Sequence, residues 1–176
     1  MILQFPPQGA TGRRDLVKAG MEIERESFRI IEEEMGQHSF PFDQWRIIRR
    51  VIHTTGDFDY AKRIRFTADA ISCGIQAFRS RACIYADTRM IQAGLSPWRL
   101  QWHGNEVVCP AESPQSRELA EKTGVTRTLA AFRDSSASLN GAVIAIGNAP
   151  TALLEVTRLI EEDGVRPALV IGVPVG

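Results

Sequence analysis

The stretch AVIAIGNAPTALL, Ala142 to Leu154, decides how this chain folds. Five small and β-branched apolar residues, Ala142 to Ile146, read as a short strand buried on both faces. Gly147-Asn-Ala149 is turn chemistry, and Pro150 suits the first position of a helix that runs on through Thr151 and Leu154. Strand, tight turn and helix in immediate succession are the opening of a βα unit, and such units build a parallel sheet.

Working outward, three more runs have the same character. They are Ala82 to Ala86, Glu106 to Cys109 and Ala168 to Ile171, and helical segments separate them. Ser113 followed by Pro114 reads as an N-cap with proline at the first helical position, and Gly124 suits the other end. All four strand-like runs lie after residue 80. Before them the chain reads as helical. Residues 1–14 read as an irregular arm. Asp15 to Met35 is an amphipathic helix with Leu16, Gly20, Ile23, Ser27, Ile30 and Ile31 on its apolar stripe. Asp43 to Ile52 is a second helix, with Asp43 as N-cap and Trp45, Ile48 and Ile52 on one face. Thr67 to Arg79 is a third. The expected fold class is α/β, a largely parallel sheet flanked by helices behind a helical N-terminal part. No linker divides residues 1–176, so a single domain is expected.

At 176 residues the chain can bury about 70% of its unfolded surface without staples. With 21 basic and 21 acidic residues its formal net charge is zero, which argues against a nucleic-acid binder that works by bulk charge. Three cysteines at wide spacing make no disulfide framework. The N-terminus lacks the pattern of a signal peptide, and the longest apolar run is too short to span a bilayer. The expectation is a soluble protein of a reducing compartment, the cytoplasm. One feature is skewed: the basic residues are 18 Arg and 3 Lys. Arginine suits planar, bidentate recognition of carboxylate or phosphate, so an anionic partner is one reading of the skew and genome composition is another.

In open α/β sheets ligands bind beyond the carboxyl ends of the strands. That rule selects Asp87-Thr-Arg89, Cys109-Pro110, Gly147 to Thr151 and Gly172-Val-Pro174. Free N–H groups at the helix start after Asn148 favour an anion, and a simple tight turn explains the same residues. No G-x-G-x-x-G fingerprint and no P-loop support a nucleotide there. His53 ends the second helix, where the helix dipole favours an imidazolium; it reads as a proton donor or as a plain C-cap histidine. Ser27 either bonds back to the carbonyl of Ile23 or faces a pocket. Arg127 follows Thr126, an N-cap, and a cation there opposes the dipole, so an anionic ligand or an acidic neighbour is needed. Asp87 at a strand end reads as a cap for the next helix or as a site residue. His38, His53 and His103 have no ligand spacing, and no protein-bound metal is expected.

These segments carry a resemblance. IERESF (Ile23 to Phe28), HTTGDFDYA (His53 to Ala61), DTRMIQAGL (Asp87 to Leu95), NEVVC (Asn105 to Cys109), Thr126-Arg127, AIGNAPTALLE (Ala145 to Glu155) and RPALVIGVPVG (Arg166 to Gly176) occur in family order over nearly the whole chain. Together they resemble the precorrin-8X methylmutase family, also called precorrin isomerase or cobalt-precorrin-8 methylmutase, of cobalamin biosynthesis. The resemblance implies an isomerase that moves a methyl group from C11 to C12 of a polycarboxylated tetrapyrrole, with or without cobalt. The product would be hydrogenobyrinate or cobyrinate. It also implies a homodimer with no cofactor of its own. His53 matches the family's acid, and Ser27 and Arg127 match substrate-binding positions. Asp87, Thr88, Gly94, Leu95 and Asn148 lie inside family motifs at or near the sheet edge and join the candidate contacts. Family members continue past Pro-Val-Gly with a further strand and a glycine-rich helix segment, whereas this chain ends at Gly176. A methylmutase-like domain lacking that segment is expected, and a truncated, non-catalytic corrinoid-binding protein is the alternative.

Overall fold

The computed structural model describes residues 11–174. Residues fall into two compact units, Met1–Thr67 and Ala68–Gly176.

The first unit is helical. It contains α1 (Thr11–Met35), α2 (Phe42–Thr55) and the short α3 (Tyr60–Arg63). The expected arm reaches only partly into the described residues: positions 11–14 are already helical, and positions 1–10 lie outside them. Trp45, Ile48 and Ile52 of α2 are buried with Ile31 of α1 and Ala61 of α3, as the spacing predicts. The rest of the α1 stripe behaves differently. Ile23 is 69% and Ile30 43% exposed, and Gly20 is exposed too. Periodicity groups residues on one face but does not say what covers that face. Pro41 holds the cap position of α2 and offers no side-chain acceptor, so Asp43 sits inside the first turn instead of capping it. There its charge still complements the N–H end of the helix. Gly56 closes α2 with a left-handed φ of 69°, and its N–H bonds to the Ile52 carbonyl at 2.7 Å.

The second unit is the sheet. It runs α4 (Ala70–Arg79), β1 (Ile84–Ala86), α5 (Arg89–Gly94), α6 (Pro97–His103), β2 (Val107–Val108), α7 (Pro114–Thr123), α8 (Arg127–Asp134), β3 (Val143–Ile146), α9 (Pro150–Glu161) and β4 (Leu169–Gly172). The four strands pair in the order β2-β1-β3-β4, and every pairing is parallel. The central register sets Ile84 beside Val143 and Ala86 beside Ala145. Strand residues are apolar on both faces because both faces are covered. Ile144 and Ile146 pack with Phe132 of α8 and with Ala152, Val156 and Leu159 of α9. Val143 and Ile84 pack the other way, with Ala77 of α4, Leu95 and Leu100. A fourth-strand neighbour explains Gly74: a side chain there would meet Leu169 Cδ2 at 3.0 Å. The sequence expectation of an α/β class holds, with all four strands found one or two residues shorter or shifted. The third helix starts at Ala70, not Thr67, because residues 68–69 form a turn. Ser113, Pro114 and Gly124 bracket α7 as expected, with Ser113 Oγ accepting from the Ser116 N–H.

α8 and α9 are tied by one buried carboxylate. Glu155 is 3% exposed and accepts Arg133 Nε and Nη2, both at 2.9 Å, and Arg158 Nη2 at 2.8 Å. The bidentate Arg133 fork holds its pKa down to about 2 against the opposing effect of burial, with Arg158 adding to the lowering. A carboxyl depressed in the folded state adds stability above its unfolded pKa and loses it as pH falls through the folded one. Arg133 is half-exposed, so solvent screens part of the interaction. Between pH 5 and pH 2 the wild type should therefore lose on the order of 2 kcal/mol from this residue. Glu155→Gln should be less stable at pH 7 and show a flatter acid limb. Urea unfolding across that pH range measures both, and equal acid slopes would refute the assignment.

Candidate functional site

The order β2-β1-β3-β4 means that successive connections leave in opposite directions from the middle of the sheet. The point of reversal lies between β1 and β3, and at the carboxyl ends of those strands such folds place their ligands. Asp87 leaves β1 there, and Gly147-Asn148-Ala149 leaves β3. The Asp87 side chain is 1% exposed. Its carboxylate accepts the N–H groups of Gly147 at 3.3 Å, Asn148 at 2.9 Å and Ala149 at 2.7 Å. The anion that the turn was expected to attract is thus supplied by the protein itself. Asp87 does not cap α5; Thr88 does, its Oγ1 accepting from Ile91 N–H at 3.4 Å. Gly147 faces Ile91 Cδ1 so closely that an added Cβ would stand 2.9 Å from it.

The same edge carries charge. Arg127 occupies the first turn of α8 behind the Thr126 cap, as read from sequence. Its acidic neighbour is Glu112, with Arg127 Nη2 at 3.6 Å from Oε1. Arg89 Nε reaches the other oxygen of Glu112 at 3.1 Å. Thr126 and Thr151 join their hydroxyls at 2.9 Å, which fixes the start of α8 beside the start of α9. Asp87, Thr88, Arg127 and Asn148 therefore gather at one sheet edge. Gly94 and Leu95 do not: Gly94 is exposed at the far end of α5, and Leu95 packs into the hydrophobic cluster of Ile84 and Val143. Sequence reading missed Glu112 and Arg89 as a pair. They are 23 positions apart, and no local pattern marks a contact between a turn and a helix start on different connections.

In the helical unit, Ser27 and His53 line one open cleft with Ile30, Ile31, Ile52, Gly56 and Phe58. Its volume of about 220 Å³ is below the usual range of closed ligand pockets. His53 is exposed in the last turn of α2, which continues two residues beyond it to Thr55. The Phe28 ring meets it edge-on, with centroids 5.1 Å apart and planes at 63°. Arg49 and Arg50 stand over Phe28 at 4.3 and 5.2 Å. Ser27 Oγ donates to the Ile23 carbonyl at 2.9 Å and still lines the cleft, so both sequence readings of this serine apply. Its oxygen keeps acceptor capacity toward a ligand. No group of three or more His, Cys, Asp or Glu side chains that could hold a metal ion occurs among the described residues. Cys109 near the charged edge has its thiol pKa raised by burial first and by the Glu112 carboxylate second. No described helix is long and apolar enough to cross a membrane.

These features define a doubly wound α/β protein with polar groups gathered at its topological switch point and a histidine cleft in a helical unit. Residues 22–176 match the family described as Precorrin-8X methylmutase, and the chain belongs to that family. The Cobalt-precorrin-8 methylmutase of Leptospira interrogans serogroup Icterohaemorrhagiae serovar Lai is 42% identical over 165 residues, 93% of this chain and 75% of that protein. The Precorrin-8X methylmutase of Sinorhizobium sp is 34% identical over 162 residues, 92% and 77% of the two chains. A crystal structure of precorrin-8X methyl mutase from Thermus thermophilus superposes with a TM-score of 0.80 at 43% identity, covering 89% of this chain and 75% of that one. Methylmutases are isomerases that shift a methyl group within one molecule, and this family serves cobalamin biosynthesis.

Asp87→Asn should test the switch-point contact. The amide keeps the shape, but loses the charge and turns an NH₂ toward N–H donors. A loss of about 2–3 kcal/mol in urea unfolding is expected. A loss below 0.5 kcal/mol would mean that the carboxylate is not needed to hold the turn.

Proposed function

We propose that this chain moves the C11 methyl group of precorrin-8X, or of its cobalt form, to C12, giving hydrogenobyrinate or cobyrinate. His53 is the proton donor in this reading. The observation that carries it is the cleft in which His53 and Ser27 share an apolar wall with Ile30, Ile31, Ile52 and Phe58. An imidazole in the last turn of α2 stands where a cationic group is favoured, and it is open to a ligand. The migration breaks the C11–methyl bond and forms the C12–methyl bond in the same molecule, so no electron leaves or enters. A proton lent by His53 polarises the macrocycle and returns to the imidazole afterwards. The enzyme's other task is to hold the ring in one orientation. Ser27, Arg127, Asp87, Thr88, Gly94, Leu95 and Asn148 are the positions proposed to serve it. For Asp87 that service is indirect, through the turn it holds, and for Leu95 through packing. The chain needs no cofactor of its own on this reading, and cobalt, where present, arrives with the substrate. The partner is a polycarboxylated tetrapyrrole, and the compartment is the cytoplasm.

Incubation with precorrin-8X, followed by absorption spectroscopy, should show conversion by the wild type. His53→Ala should lose about 100-fold or more in kcat with its melting temperature little changed. Full turnover by the variant would remove His53 from the mechanism. Binding without any spectral change by the wild type would select a corrinoid-binding protein instead.

We propose further that the two units melt together as one domain and that the chain is a homodimer. Calorimetry over a hundredfold range of protein concentration should then show one transition whose temperature rises with concentration. Two separate transitions would end the single-domain reading, and a concentration-independent temperature would end the dimer.

A further inference from the structure

Three arginines in contact with acids are held by several hydrogen bonds each. Arg133 gives two hydrogen bonds to Glu155, and Arg158 is shared among Glu155, Glu162 and Asp163. Arg29 is held by Glu26 and Glu33 on its own helix. The sheet edge differs. There one carboxylate, Glu112, faces two guanidiniums, Arg89 at 3.1 Å through Nε and Arg127 at 3.6 Å through Nη2. Neither approach is a well-aligned hydrogen bond, and neither guanidinium donates one among the described residues. Arg89 is 75% and Arg127 44% exposed, so their remaining N–H groups are open to a ligand. Asp87 does not neutralise them from the outside, because its buried carboxylate is turned onto the β3 turn. The N–H end of α8 adds further positive potential under Arg127.

We propose that Arg89 and Arg127 form a two-guanidinium clamp for one carboxylate of the ligand, with Glu112 as the positioning residue that keeps the two side chains side by side when the site is empty. The inference rests on the tetrapyrrole reading for the identity of the ligand, and deepens it by assigning Arg89 and Glu112. A forked guanidinium can hold Glu112 by one edge and a ligand carboxylate by the other, so binding adds an anion without expelling the internal one. Charge at this rim selects for acid side chains over their amides. It does not act on the migrating methyl group.

The test compares cobyrinic acid with the same corrinoid carrying amidated side chains, titrated by tryptophan fluorescence. Alongside, citrate is titrated against the Arg89 Nε signal by nuclear magnetic resonance. Wild type should prefer the acid, and the preference should shrink with added salt. Arg89→Gln should weaken binding of the acid about tenfold, leave the amide unchanged, and raise KM without lowering kcat. Arg89→Lys should recover only part of the loss, because an ammonium lacks the fork. Unchanged discrimination in Arg89→Gln, with the corrinoid still bound, would overturn the clamp while the tetrapyrrole reading stands. A citrate-dependent shift of Arg89 in a protein that binds no corrinoid would do the reverse. No response to either ligand would remove both.

Discussion

A buried carboxylate without partners would cost several kcal/mol, so Asp87 can stand at the switch point only because three backbone N–H groups meet it there. The dependence runs both ways. Gly147, Asn148 and Ala149 turn away from β3 with donors that no strand can satisfy, and Asp87 comes from the neighbouring strand to satisfy them. This contact fixes where α9 begins. α9 then carries Glu155 inward to the Arg133 fork of α8, and Thr151 meets Thr126 at the start of that helix. The position of Arg127 relative to the sheet edge is thus a consequence, several contacts removed, of one aspartate.

The strands were legible because a sheet covered on both faces demands uninterrupted apolar residues, and few other structures do so in runs of four. Ile144 and Ile146 pack against α8 and α9 while Val143 packs against α4, so neither face of β3 could be polar. Capping was legible at Ser113 and Thr126, but it failed at α5, where Thr88 and not Asp87 supplies the side chain, and at α2, where Pro41 holds the position with no side-chain bond. Asp87 was visible as a strand-end residue, but the N–H groups that donate to it lie 60 to 62 positions away. Only the pairing of β1 with β3 brings them together. The α1 stripe shows the same limit from the other side. Ile23 and Ile31 share a periodicity, but Ile31 meets Trp45 and Ile48 while Ile23 is left exposed.

The excess of arginine over lysine takes on a more limited meaning in the fold. Planar forks are used repeatedly to satisfy carboxylates within the chain, as at Glu155, or to lie on an aromatic face, as Arg49 lies on Phe28. Composition could not separate these arginines from a ligand contact. What separates them is the local ratio of donors to acceptors. At Glu155 the forks of Arg133 and Arg158 are engaged by hydrogen bonds, whereas at Glu112 neither Arg89 nor Arg127 donates one.

The two units consequently present different chemistry. One offers an imidazole and a hydroxyl on an apolar wall, and the other offers guanidiniums at a sheet edge that its own aspartate has already closed to small anions. A small phosphorylated ligand would seek the N–H groups of the β3 turn and find them occupied. A ligand whose acid groups hang from a wide, otherwise apolar ring does not need those N–H groups. The occupied turn therefore weighs against a nucleotide as much as any missing motif does.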